Sequence, residues 1–291
     1  MSSESSGSSV RVVTDSTATL PPEVAAERGI VVVPLEVVIG AEVFEEGSEG
    51  ATPETVAQAL REFKPVSTSR PSPAHLLEVY EQAARDGASA VVSIHLSGEM
   101  SGTYESAQLA AEDASIPVHA VDSRQVGVAT GFAALTAVDV LDAGGAPEEA
   151  AKAARSRAEA ARSLFYVDTL EYLRRGGRIG AAAALFGGAL AVKPLLQIAD
   201  GRVASLEKVR TTGRALARLE ELAVEAAGEA DVDLCVAHLA SPERAEQLAG
   251  RLAERLADNL DGRDVWCAEL GAVLGAHVGP GMLAVCVAPR P

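Results

Sequence analysis

Ser97, Gly98, Ser101, Gly102 and Thr103 are grouped in the stretch VVSIHLSGEMSGTYESAQLAAE, Val91 to Glu112. An apolar, β-branched run leads into it. A helix-forming segment, Thr103 to Asp113, leads out with nothing to break it before Pro117. A strand that turns through Ser and Gly into a helix leaves the first helical amides unpaired. The helix dipole adds about half a positive charge at that end. With hydroxyls on Ser97, Ser101 and Thr103, the chemistry open to this turn is the grip of a small anion.

Three further loops have the same character. They begin near Asp15 (Asp15-Ser16-Thr17), Thr68 (Ser67-Thr68-Ser69-Arg70-Pro71-Ser72-Pro73) and Asp122 (Asp122-Ser123-Arg124). One such loop is an ordinary helix cap. Three of the four directly follow an expected strand, where open parallel sheets place their ligands, so together they outline one polar crevice. His277 lies between Gly275 and Gly279-Pro280-Gly281, and glycines there let backbone or ligand approach closely. The order around Ser101 is Gly98-Glu99-Met100-Ser101-Gly102, which is not a G-x-S-x-G nucleophile elbow. Neither a phosphate loop nor a G-x-G-x-x-G fingerprint occurs. The five histidines are scattered without zinc spacing. No cofactor, metal or catalytic residue is expected from these patterns.

The elements that must position these residues alternate between strand and helix. Strands are expected at Val10–Val13, Ile30–Ile39 (apolar enough for burial on both faces), Val91–Leu96 and Val118–Val121. Helices are expected after Pro21-Pro22, after Thr52-Pro53, over Pro73–Arg85, and over Val126–Leu141 and Pro147–Arg162; Gly40 to Gly50 reads as a loop. That alternation predicts a parallel sheet covered on both faces. The second half changes character: a strand at Leu164–Val167, a basic turn Arg174-Arg175-Gly176-Gly177-Arg178, and an apolar run Ala181–Val192 that reads as a buried helix. Two strands then flank Ala199-Asp200-Gly201-Arg202, an Asp-Gly hairpin signal. Helices from Thr212 and Pro242 and strands at Val232–Val236 and Met282–Val287 complete the chain. The expected fold class is two-domain α/β. A parallel-sheet, Rossmann-like N-terminal domain (10–162) is followed by a second α/β domain (163–291) with a mixed or antiparallel sheet. Residues 1–9, a Ser/Gly/Glu tail, are expected to be disordered.

Composition narrows the partners. The 291 residues carry a net charge of −16, which argues against nucleic acid. Yet Leu170 to Ala215 holds eight basic residues against three acidic ones, a local asymmetry suited to an acidic partner. Three cysteines without paired spacing point to a reducing, cytoplasmic setting. The longest apolar run, Ala181–Val192, falls short of the roughly 18 residues of a membrane span.

Several of these pieces occur together, in order. They are VVTDSTATLPPE (Val12 to Glu23), VVPLEV (Val32 to Val37), STSRPSP (Ser67 to Pro73) and SIHLSGEMSGTYESA (Ser93 to Ala107). They continue with VDS (Val121 to Ser123), LEYLRRGGRIG (Leu170 to Gly180) and KPLLQIADGRV (Lys193 to Val203). EKVRT (Glu207 to Thr211) and GAHVGPG (Gly275 to Gly281) are the last. In these the chain resembles the DegV family, whose characterised members are the fatty-acid-binding subunits of bacterial fatty-acid kinase. Arg70 stands where the family usually has Gln, and Gly98 where Ser is common. The resemblance implies a long-chain fatty acid held between two α/β domains, its acyl chain in a tunnel through the second. Thr68 and Ser101 would hydrogen-bond the carboxylate, with the Gly102 amide beside them and His277 in the same network. Arg178 and Arg210 would face the separate kinase that forms the acyl phosphate. The residues themselves leave two other readings open: an acyl hydrolase with Ser101 as nucleophile and His277 as base, and a binding module for a non-lipid small anion.

Overall fold

The candidate residues are carried by more than one sheet: Thr68 lies on a strand of one, and Ser101 follows a strand of another. A computed structural model describes residues 9–185 and 193–291. The first sheet is four-stranded and parallel, in the order Val31–Val33, Ser9–Asp15, Ala88–His95, Val118–Asp122. The expected parallel sheet is therefore present. Ser9, assigned to the tail, opens its first strand; the rest of the tail lies outside the described residues.

The apolar stretch Ile30–Ile39 does not form one doubly buried strand. Pro34 has no amide to donate, and the chain breaks there. Val31–Val33 stays in the parallel sheet, while Glu36–Ile39 joins a three-stranded antiparallel sheet between Glu42–Glu45 and Val66–Ser69. The stretch read as a loop after Gly40 thus holds a strand, reached through Gly40 at φ +65°. Thr68 lies on an edge strand paired with Val37, rather than in a loop.

The second large sheet has six strands, in the order Arg202–Val209, Lys193–Ala199, Arg162–Tyr166, Leu283–Pro289, Val232–His238, Trp266–Glu269. Only the last pair is parallel, so the sheet is mixed. The Asp200-Gly201 hairpin is as expected, both residues having positive φ. Its side chains alternate between two unlike faces. Leu164, Tyr166, Leu195, Leu234, Leu283 and Val285 pack under the helices Thr212–Ala227 and Pro242–Arg255. Phe165, Leu196, Cys235, Ala237, Met282 and Cys286 face the other way, toward Val128, Ala129 and Phe132 of the helix Val128–Asp142. Of the run Ala181–Val192, residues 186–192 lie outside the described residues. The described part is a 3₁₀ segment, Gly180–Leu185, in which Ala182 is buried but Ala181, Ala183 and Ala184 are exposed, so it is not a buried helix.

A polar chain buried in the first sheet fixes where the Ser/Gly turn begins. Asp15 accepts from Thr17 N (3.1 Å), Leu96 N (3.0 Å) and the His95 ring at Nδ1 (3.0 Å). His95 Nε2 meets Ser93 Oγ at 2.7 Å, and Ser93 meets the Tyr80 hydroxyl at 2.8 Å. All four side chains are fully buried. Replacing one partner of such a network strands the others. Asp15→Ala is therefore expected to cost about 3 kcal/mol or more in urea unfolding; a loss under about 1 kcal/mol would show that Leu96 N and His95 do not depend on it.

Candidate functional site

Four segments converge at the end of the first sheet. The edge strand Val66–Ser69 brings Thr68, and the turn after Ala88–His95 brings Ser101. The helix Ala272–Val278 brings His277, and the chain after the helix Glu171–Arg175 brings Gly176 and Arg178. Thr68 Oγ1 lies 3.0 Å from His277 Nε2. Thr68, Ser101, His277 and Arg178 all border one cavity, which continues past Met100 and Leu274 to Cys235 and Cys286 on the inner face of the six-stranded sheet. It takes in about 950 Å³ of non-atom space, open solvent included. Leu35, Leu96 and Val128 line it from the other side, so both halves of the chain wall it.

His277 closes a short helix in which Gly275 is an interior residue and Gly279, at φ +75°, the cap. Burial, with the nearby Arg178 cation second, pushes its imidazole down to about 4. The ring is therefore neutral near pH 7. Its Nδ1 is buried without a hydrogen-bond partner among the described residues. That edge faces Gly176, where a Cβ would stand 2.2 Å from Nδ1. The start of the helix is held from the three-stranded sheet's side: Glu46 Oε1 accepts from Val273 N at 2.7 Å, and a Cβ on Gly271 would collide with it at 2.3 Å. Burial raises the Glu46 carboxyl above the usual range. Neither Gly176 nor Glu46 was singled out in the sequence. The Gly-Gly pair hinted at the first; Glu46 carried no local signal.

The remaining expected residues divide. Ser101 Oγ bonds Thr103 Oγ1 at 2.9 Å, at the start of the helix Thr103–Asp113. Gly102 is the cap of that helix and lies outside the cavity lining; its carbonyl accepts from Arg70 Nη1 at 2.9 Å. Arg70 also pairs with Glu105 at 2.7 Å, over a spot that a Cβ on Gly102 would fill. Ser97 is a correction: its buried hydroxyl donates to Gly201 O at 2.7 Å, joining the turn to the Asp-Gly hairpin, and it does not border the cavity. Glu99, two residues on, pairs with Arg202 of the same hairpin. Arg178, expected on a docking surface, borders the cavity mouth instead, with Nε on Met100 O (3.0 Å) and Nη1 on Gly176 O (2.6 Å). Arg210 is exposed and makes no ion pair among the described residues.

Chemically, the mouth offers hydroxyls, a neutral imidazole and one guanidinium above an apolar chamber. His277 bonds Thr68 and Ser101 bonds Thr103, so the Ser–His pair that an acyl hydrolase needs is not formed. Among the described residues no group of His, Cys, Asp and Glu could hold a metal ion, and no helix is long and apolar enough to cross a membrane. Cys235 and Cys286 are buried, as expected of small hydrophobes, while Cys267 is exposed; all are free.

Because the folded-state value of His277 lies below the ordinary 6.5, the unfolded chain binds the proton more readily between about pH 6.5 and pH 4. Stability is expected to be full above that window and to fall as the pH drops through it. NMR titration should find the ring half-protonated near pH 4. Gly176→Ala should displace the ring, cost about 1–3 kcal/mol, and move its titration back toward 6.5; a titration that stays in place would contradict the packing.

The comparisons with known proteins agree over the whole length. The family model "Uncharacterised protein, DegV family" matches residues 9–290. A DegV domain-containing protein of Streptomyces coelicolor is 52% identical over 97% of this chain and 99% of its own. Among solved structures, the fatty acid-binding DegV family protein of Thermus thermophilus superposes with a TM-score of 0.87 at 30% identity, covering 97% of this chain and 99% of that one. DegV of Bacillus subtilis, described as a fatty acid binding protein, gives 0.86 at 33% identity, with the same coverage. With its parallel four-stranded sheet, its mixed second sheet and these full-length matches, the chain belongs to the DegV family.

Proposed function

We propose that this chain is a fatty-acid carrier: it buries a long-chain fatty acid and presents the carboxylate to a separate kinase that forms the acyl phosphate. The observation that carries the reading is the cavity itself, lined mostly by apolar side chains and bordered by the polar groups of Thr68, Ser101, His277 and Arg178. The fatty acid-binding relatives from Thermus thermophilus and Bacillus subtilis, alike in fold over nearly the whole chain, support it. At roughly 0.8 kcal/mol per buried methylene, a long acyl chain supplies about 10 kcal/mol before the costs of binding.

The head then sets orientation. A carboxylate must be met by donors when it leaves water. Thr68 serves it best by accepting from His277 Nε2–H and giving its own hydrogen to the ligand, and a neutral His277 permits that tautomer. Ser101 donates from the other side, beside the start of the helix Thr103–Asp113. Arg178 adds the one full charge. In this reading residues 10–162 form the domain that brings Thr68 and Ser101 to the head group, and residues 163–291 form the domain that adds His277 and Arg178 and whose sheet walls the acyl chain. Arg210, exposed in the basic segment, meets the kinase.

Delipidated protein is expected to take up palmitic acid, and Thr68→Ala with Ser101→Ala to weaken that uptake about 100-fold or more, since two bonds to a charged group are lost. Unchanged affinity would misplace the head group. Arg210→Glu is expected to leave uptake alone and slow acyl-phosphate formation with the kinase; equal rates would remove Arg210 from the docking surface.

A further inference from the structure

Ser101 stands between two carbonyls that are each gripped by a guanidinium. The carbonyl of Met100, before it, accepts from Arg178 Nε at 3.0 Å, and that of Gly102, after it, accepts from Arg70 Nη1 at 2.9 Å. The two arginines come from segments far apart in sequence. Arg178 follows the helix Glu171–Arg175 and borders the cavity. Arg70 directly follows the strand Val66–Ser69, two residues after Thr68, and lies outside the cavity lining. Whatever Arg70 does for a ligand it therefore does through its neighbours.

Its place matters because the two hydroxyls expected at one carboxylate stand on different supports. Thr68 belongs to the three-stranded sheet, on a strand whose ladder partner is Glu36–Ile39. Ser101 belongs to the turn between Ala88–His95 of the four-stranded sheet and the helix Thr103–Asp113. Among the described residues no strand pairing joins those two sheets. Arg70 bridges them. Its Nη1 donates to Gly102 O and also to Glu105 Oε2, 2.7 Å away in the first turn of the helix. The fit is close: a Cβ on Gly102 would stand 1.9 Å from Arg70 Nη1 and 2.7 Å from its guanidinium carbon. Gly102 has φ −75°, which any residue adopts. Its missing side chain thus makes room for Arg70 and is not a demand of the backbone.

Charge is not what Arg70 adds. Glu105 already balances it, and a pair of exposed side chains contributes little by itself. The contribution is placement. Hydrogen bonds between oxygens hold over only a few tenths of an ångström, and donors set before the ligand arrives avoid the cost of ordering them on binding. We infer that Arg70 is a positioning residue of the head group site: by gripping the Gly102 carbonyl it fixes the segment of Thr68 against the turn of Ser101, so that both hydroxyls reach the same carboxylate. This deepens the fatty-acid reading of the cavity and rests on it.

The test measures palmitic acid binding to delipidated full-length protein by calorimetry. Arg70→Ala is expected to weaken binding about tenfold, the worth of one hydrogen bond to a charged group. Gly102→Ala, whose Cβ displaces the guanidinium without removing a charge or straining the backbone, is expected to do the same, and the two together to cost no more than either alone. In protein that already carries Ser101→Ala, Arg70→Ala is expected to cost less than about twofold, because the hydroxyl it places is gone. A side chain that served only the fold would lower the melting temperature without this dependence on Ser101. Equal affinity of the wild type and Arg70→Ala, or a loss of the same size with and without Ser101, overturns the positioning role alone. Failure of the wild type itself to take up palmitic acid overturns the fatty-acid reading, and this role with it.

Discussion

A single hydrogen bond between Thr68 and His277 spans 209 residues of sequence and ties the edge strand of the small sheet to the helix ahead of the last strand. Most of the site's geometry follows from it. Burial, with the Arg178 cation second, keeps that imidazole neutral near pH 7. A charged ring would sit against a cation in a poorly solvated place. The bond needs that ring held from behind, which Gly176 allows by having no side chain and Glu46 enforces by capping the helix.

Much of the architecture was legible because it depends on local pattern. The alternation of apolar runs with amphipathic segments predicts the parallel sheet, and Asp200-Gly201 predicts its hairpin. The convergence of Thr68, Ser101 and His277 was not legible from spacing; it came from likeness to a family. Three features were misread for physical reasons. Ser67-Thr68-Ser69 is polar like a loop, but an edge strand with one free side tolerates hydroxyls. Gly275 and Gly279 disguised a helix only seven residues long, which packs against Glu46, Tyr172 and Leu239 rather than standing on its own propensity. The basic turn Arg174–Arg178 suggested an Arg178 that faces a partner. Gly177, at φ +72°, folds the chain back so that Arg178 reaches Met100 O.

Ser97 shows how one residue type serves two ends in one turn. Both Ser97 and Ser101 fit an anion-binding loop by composition. Ser97 is drawn off because Gly201 brings a bare carbonyl within 2.7 Å, and that contact, with Glu99 on Arg202, fastens the turn to the six-stranded sheet. The Ser97 hydroxyl thus joins the turn after the first sheet's strand to the hairpin of the six-stranded sheet.

The two faces of that sheet are built from alternate residues of the same strands, one closely packed beneath helices and the other bordering open space. Ala237 and Ala284 stand on the hollow side, flanked in sequence by Val236 and by Leu283 and Val285 on the solid side. Capacity is therefore inherited separately from scaffold strength. A lineage can lengthen, shorten or bend its chamber by exchanging odd or even positions along a strand, while the neighbours that keep the molecule folded never register the change.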